Sequence, residues 1–162
     1  WFYGPFQPER QKLFFEMIRM GKAPIVGGGK NRRSMAYTEN IVQGMVQAAT
    51  KEIASGKTYW IADEKPYTMS EIVDTIENLL ANKYGRECNY GRLKLPGVVS
   101  TLAEKTDAML QWFGFYHQKI HVLSEMNKHI ACSISRAKDE LGYNPEYSLT
   151  EGMKKSLKEL YI

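Results

Sequence analysis

Apolar residues recur at helical spacing through most of this chain, and short β-rich runs break the pattern at intervals. Glu9 to Met20 predicts a helix with Leu13, Phe14, Met17 and Ile18 on one face, stopped by Gly21. Thr38 to Ala54 predicts a second, burying Ile41, Val42, Met45, Val46, Ala49 and Ile53. Thr68 and Glu71 make a T-x-x-E capping box ahead of a helix to about Asn82, with Ile72, Val73, Ile76, Leu79 and Leu80 inward. Pro96 opens a further helix carrying Val98, Val99, Leu102, Met109, Leu110 and Phe113 toward the core. Tyr116 to Lys128 leans helical. Ser135 is expected to cap a helix ending at Leu141-Gly142. Ser148 and Glu151 form a second capping box before a helix burying Leu149, Met153, Leu157 and Leu160.

The strands are short. Tyr3-Gly4-Pro5 reads as a turn after a strand whose beginning is missing. Residues 24–26 and 34–37 read as strands flanking a loop, Tyr90–Leu95 as another, and His129–Ser133 as an extended piece. Thr58-Tyr59-Trp60-Ile61-Ala62 is β-rich and predicts a strand buried on at least one face. The whole, residues 1–162, reads as one helix-rich unit with no internal repeat, linker or low-complexity segment.

The loop between the strands at 24–26 and 34–37 holds the candidate chemistry. Gly27, Gly28 and Gly29 allow a tight turn and close approach to a ligand. Lys30, Arg32 and Arg33 follow, and a guanidinium fork suits a phosphate or carboxylate. The competing reading is a hairpin turn with solvated charges at its tip.

Composition narrows the classes. The net charge is +4, with cations spread among acids outside Lys30–Arg33, so no nucleic-acid footprint is indicated. No apolar run approaches a membrane span. Two cysteines, Cys88 and Cys132, are too few for a disulfide scaffold and suit a cytoplasmic protein. His117 and His121 stand four apart, but no third ligand is in view and a packing or surface role is preferred to a metal site. Core packing is likewise preferred to ligand stacking for Tyr59-Trp60 and Trp112-Phe113.

Three signals stand in order: Tyr3-Gly4-Pro5; Gly-x-Gly leading to Arg33-x-x-x-Tyr37-x-x-Asn40-x-x-x-Gly44; and Ser135-Arg136-Ala137 with Leu141-Gly142-Tyr143-x-Pro145-x-x-Ser148-Leu149-x-Glu151-Gly152. Together they resemble the C-terminal, substrate-binding part of an extended short-chain dehydrogenase/reductase of the NAD-dependent nucleotide-sugar epimerase/dehydratase kind. The resemblance covers nearly the whole chain. It implies an α/β fold, here an α+β-like fragment: a helix-rich substrate domain with most of the Rossmann sheet missing. It implies Arg33 on a nucleotide-sugar diphosphate, with Arg32 either a second phosphate contact or solvated. Lys30, Tyr3, Gln7 and Asn40 are the further substrate-side candidates, and Tyr3, Gly4 and Pro5 border the cofactor. The family usually has Asp where Asn40 stands. A second phosphate arginine often precedes its last strand–helix unit, where this chain offers Lys128 and His129.

The family's glycine-rich fingerprint and its Ser plus Tyr-x-x-x-Lys set are absent from this stretch. The literal match Tyr90-Gly91-Arg92-Leu93-Lys94 is rejected, because it falls far downstream on a probable strand. Gly27–Gly29 opens no helix and so offers no pyrophosphate a helix N-terminus. The resemblance therefore implies no catalytic residue and no metal ligand here, and NAD(P) only in the intact enzyme. It also implies a nucleotide-diphosphate sugar and a missing N-terminal half as partners. An uncovered Thr58–Ala62 edge and the Ile41/Met45/Ile53 face predict a two-fold homodimer; the alternative has Trp1–Tyr3 pairing with Thr58–Ala62. Two other readings stand beside this one: the substrate domain of a hydroxysteroid- or flavonoid-type reductase, and a non-catalytic interaction module.

Overall fold

The computed structural model describes residues 1–161. In chain order they form β1 (Phe2–Tyr3), α1 (Glu9–Arg19), β2 (Pro24–Val26), β3 (Arg32–Arg33), β4 (Ala36–Tyr37), α2 (Thr38–Thr50), β5 (Tyr67–Thr68), α3 (Met69–Asn82), β6 (Leu93–Leu95), α4 (Gly97–Trp112), α5 (Gln118–Glu125), α6 (Ser135–Leu141) and α7 (Leu149–Tyr161). The strands make three two-stranded pairs: β1 with β4 and β2 with β6 in parallel, β3 with β5 antiparallel. Helices dominate, as the periodicity predicts.

Helix α3 is the centre of the main core. Its sequence stripe is buried as expected, with Ile72, Val73, Ile76 and Leu80 all inaccessible, and α1 and α7 pack on either side. Thr68 accepts from Glu71 N–H at 3.1 Å while Glu71 accepts from Thr68 N–H at 2.6 Å, which satisfies orphan donors of the first turn. The Ser148–Glu151 box forms likewise before α7, where Leu149, Met153 and Leu157 are buried. A second core joins Ala62, Ile134, Ala137, Leu141 and Tyr143.

Four helix expectations are corrected. In α1 the buried side is Gln11, Phe15 and Ile18, not Leu13 and Met17, because Gln11 Nε2 turns in to the Phe2 carbonyl. In α2 the buried residues are Asn40 and Gly44, which leaves Val42, Met45 and Val46 in solvent, and Ile53 is exposed in the turn Glu52–Ala54 beyond the helix end. Gly44 admits Ile61 so closely that a Cβ there would lie 2.7 Å from Ile61 Cδ1. In α4 the polar side is the buried one: Ser100, Ala103 and Asp107 face inward while Val98, Leu102, Met109 and Phe113 face out. Ser135 does not cap α6; it is the first helical residue, and Ser133 Oγ accepts its N–H at 3.3 Å.

Thr58–Ala62 is not the strand its composition predicts: it joins no ladder among the described residues, and Trp60 is 68% exposed. The segment is held instead by Tyr143 Oη on the Ala62 carbonyl at 2.7 Å and Arg136 Nη1 on the Thr58 carbonyl at 3.4 Å. The alternative pairing of Trp1–Tyr3 with this segment is also corrected, since β1 pairs with β4. Trp112 and Phe113 meet edge to face in solvent rather than in a core. Tyr90 lies exposed outside β6 while Lys94 lies within it, as the rejection of that match requires.

Candidate functional site

The loop from Gly27 to Arg33 is built by contacts that only glycine permits. Gly27 has φ +60° and Gly29 has φ +70°, the left-handed region. A Cβ on Gly27 would collide with the Asn127 side chain, and one on Gly29 with Ser70 Oγ. The loop is thus pressed between the start of α3 and the segment after α5. Met69 N–H, in the first turn of α3, donates to the Asn31 carbonyl at 3.0 Å.

The segment 125–130 forms the other wall. Ile130 N–H donates to the Arg32 carbonyl at 2.9 Å, and Ser34 N–H to the Ile130 carbonyl at 3.0 Å. Arg32 N–H donates to His129 Nδ1 at 3.2 Å. Arg33 Nη2 donates to the Glu125 carbonyl at 2.7 Å, at the C-terminal end of α5 where the helix dipole favours a cation. One arm of the guanidinium is therefore committed to the protein, and the others have no partner among the described residues. Burial pushes the Arg33 guanidinium below its ordinary value and the Glu125 carboxylate opposes this. Arg32 and Lys30 are exposed. Lys128 pairs with Glu104 at 3.0 Å.

Asn31 is 4% exposed, and neither polar atom of its side chain has a partner. Buried amides are nearly always bonded, so this one is an unmet demand inside the loop.

The remaining candidates gather elsewhere. Tyr3 and Asn40 are buried and converge on Asp63, which is 2% exposed. Asp63 Oδ2 accepts from Tyr3 Oη at 2.7 Å, and Oδ1 from Tyr37 N–H and Asn40 Nδ2, each at 2.9 Å. Asn40 also donates to the Tyr147 carbonyl at 2.9 Å and accepts from Tyr147 N–H at 3.1 Å. Burial raises the Asp63 carboxyl above its usual range despite the three donors. Burial and the adjacent Asp63 raise the Tyr3 phenol far above its ordinary value. Gln7 is buried, and its Nε2 donates to the Gly4 carbonyl while Oε1 has no partner.

Tyr3, Gly4 and Pro5 make the turn after β1. Tyr3 is committed to Asp63, Gly4 is buried against Thr38, and only Pro5 reaches the surface.

Asp63 was missed from sequence, since nothing in a polar Asp63–Tyr67 loop marks one acid as the acceptor of three distant donors. His129 was legible only through the resemblance. Among the described side chains no group of three or more His, Cys, Asp or Glu could hold a metal ion, and no helix is long and apolar enough to cross a membrane. His121 Nδ1 instead lies 2.8 Å from Asp107 Oδ2. An open cleft of about 430 Å³ is lined by Asp63, Lys65, Cys132, Ser133 and Lys138 among others, and a second of about 330 Å³ lies between α2 and Glu146-Tyr147. Neither is lined by Arg32 or Arg33.

No family model matches the chain. It is 52% identical to an uncharacterized protein, y4nL, of Sinorhizobium fredii, over 97% of this chain and 44% of that protein. It is 28% identical to a 3beta-hydroxysteroid-dehydrogenase/decarboxylase of Arabidopsis thaliana, over 96% of this chain and 37% of that one. The chain thus spans less than half the length of these curated relatives. Among solved structures it is similar to UDP-glucuronic acid 4-epimerase from Bacillus cereus in complex with NAD (TM-score 0.61, 20% identity, 99% of this chain and 43% of that one). It is similar also to UDP-glucose 4-epimerase from Thermotoga maritima with UDP-glucose (TM-score 0.64, 19% identity, 98% and 43%).

Proposed function

From the fold that the chain shares with part of the nucleotide-sugar epimerases, we propose that it is the substrate-binding portion of an NAD(P)-dependent epimerase or dehydratase acting on a nucleotide-diphosphate sugar. The observation that carries the reading is Arg33, fixed at one arm by the Glu125 carbonyl beside a glycine loop and flanked by Arg32, Lys30 and His129. A guanidinium held this way is pre-aimed, and its remaining N–H groups suit two phosphate oxygens. Arg32 and Lys30 add positive field at the same loop. Gln7, with a free buried carbonyl oxygen, is proposed on the sugar side. Tyr3 and Asn40 act through Asp63, shaping the turn at Gly4-Pro5 rather than reaching the ligand with their own polar atoms.

The chain supplies binding and orientation; the hydride carrier and the general base belong to an N-terminal half. That half is proposed to cover Thr58–Ala62, which joins no strand pair among the described residues, and the exposed apolar side chains of α2. The two free thiols fit a cytoplasmic enzyme.

Titration calorimetry with a uridine diphosphate sugar, the free nucleoside diphosphate and the free sugar tests the reading. Binding that follows the diphosphate supports it; equal heats of zero for all three count against it. The likeness to a hydroxysteroid dehydrogenase favours a second reading, in which the substrate is a sterol and carries no diphosphate. Sterol binding with no nucleotide competition would select it.

A further inference from the structure

Helix α4 is inside out. Val98, Leu102, Met109 and Trp112 run down one side and are 76%, 65%, 55% and 80% exposed. The opposite side makes the contacts with α5: Ser100 Oγ donates to the Leu123 and Ser124 carbonyls at 3.0 and 2.9 Å, and Asp107 holds His121. An apolar helical stripe ordinarily marks the side that is covered. Here it continues past the helix end into Phe113, Phe115 and Tyr116, all exposed.

The patch is large. At the area aromatic side chains cover, its four rings with Val98, Leu102 and Met109 present on the order of 800 Å². That exceeds the largest apolar patch of an ordinary monomer and matches one side of a standard protein interface. One charged residue, Lys105, interrupts the stripe, and it has no ion-pair partner among the described residues. Glu104 beside it pairs with Lys128 at 3.0 Å and keeps its side chain 53% exposed, open to a second cation. Both stand at the middle of α4, whose bounds are Gly97 and Trp112. An antiparallel two-fold pairing therefore sets Lys105 alongside Glu104 of a second copy, twice over, on the same flank of the interface. A lipid surface suits the patch less well: residues 97–128 carry Lys105, Lys119 and Lys128 balanced by Glu104, Asp107 and Glu125, so no net basic rim draws them to anionic headgroups.

We propose that the α4–α5 hairpin is a homodimer interface, in which two copies pack α4 against α4 antiparallel about a two-fold axis near Glu104-Lys105. This surface is separate from Trp60 and the α2 face, and from the Arg33 loop.

Sedimentation equilibrium across a concentration series tests it, with circular dichroism to check each variant's fold. The wild type is expected to dimerise, and Leu102→Lys/Met109→Lys to be monomeric, with the dimer constant weakened at least about a hundredfold. Lys105→Glu should weaken it about tenfold, and Glu104→Lys added to Lys105→Glu should restore it. Trp60→Lys should leave it unchanged. A wild type that stays monomeric, a dimer that survives Leu102→Lys/Met109→Lys, or one abolished by Trp60→Lys overturns the proposal. So does a monomer that co-sediments with phosphatidylcholine/phosphatidylglycerol vesicles through this patch.

Discussion

The Tyr3 hydroxyl reaches Asp63 Oδ2 across 2.7 Å, joining residues 60 positions apart inside the core. The same carboxylate takes the Tyr37 N–H at the start of α2 and the Asn40 amide within it. One buried acid thus ties β1, β4 and α2 to the segment that follows Thr58–Ala62. Asp63→Ala takes the shared acceptor from three buried donors, leaving the Tyr3 hydroxyl only the longer contact to the Ser148 carbonyl, and is expected to cost about 3 kcal/mol or more. Tyr3→Phe should cost about 1–2 kcal/mol. The double variant should lose less than the sum, since the two share one bond. Urea unfolding of the four proteins measures this; strict additivity counts against a direct pair.

Asp63 also sets a pH dependence. Its folded pKa lies above the unfolded value because burial disfavours the charge. The folded state therefore binds the proton more tightly, and the carboxyl's contribution to stability falls as pH rises from about 4 through the folded pKa. The stability of wild type relative to Asp63→Asn should decline over that window and then level off. A relative stability that grows with pH would show that the three donors outweigh desolvation.

Arg33→Ala should weaken binding of a nucleoside diphosphate sugar by about 1.5–3 kcal/mol, the scale of a lost charge-assisted hydrogen bond. It should cost stability only about 1 kcal/mol through the bond to the Glu125 carbonyl. Arg33→Lys should keep most of the stability and little of the affinity, because an ammonium cannot bridge two oxygens in one plane. Calorimetry with parallel melting curves separates the two effects. An unchanged dissociation constant would remove the diphosphate role.

Two neighbouring glycines should answer differently to alanine. Gly28 has φ +80° and open space around a Cβ, so Gly28→Ala should cost about 1 kcal/mol of backbone strain. Gly27 has the same strain plus the Asn127 side chain in the way, so Gly27→Ala should cost more and disturb the loop that carries Arg33. Equal effects on melting and on nucleotide affinity would mean that the Asn127 contact does not shape the loop.

NAD should not bind this chain tightly by itself, since Tyr3 and Gly4 are buried and the glycine loop leads into β3 rather than a helix. Micromolar affinity in a calorimetric titration would require a dinucleotide site that none of these residues forms.

The sequence by itself determined the local order. Capping boxes, Gly21 and Gly142, and apolar residues at helical spacing act within a few positions of the chain, so α1 to α7 were legible with bounds within a few residues. The core stripes of α3 and α7 were legible too, because those helices bury the side their pattern marks. Tertiary structure decided which side of α1, α2 and α4 is covered, since a 3.6-residue period names a stripe and not what meets it. Asn40 and Gly44 are buried in α2 because Asp63 and Ile61 arrive there from another part of the chain. Ser100 and Asp107 are buried in α4 because α5 folds back with the carbonyls that take the Ser100 hydroxyl and the imidazole that meets Asp107 Oδ2. The same holds for the site: three glycines and three cations were plain in the sequence, but the wall formed by Glu125, His129 and Ile130 lies about 95 residues downstream. Only a hydrogen bond closed across that distance makes Arg33 a fixed group rather than a solvated one.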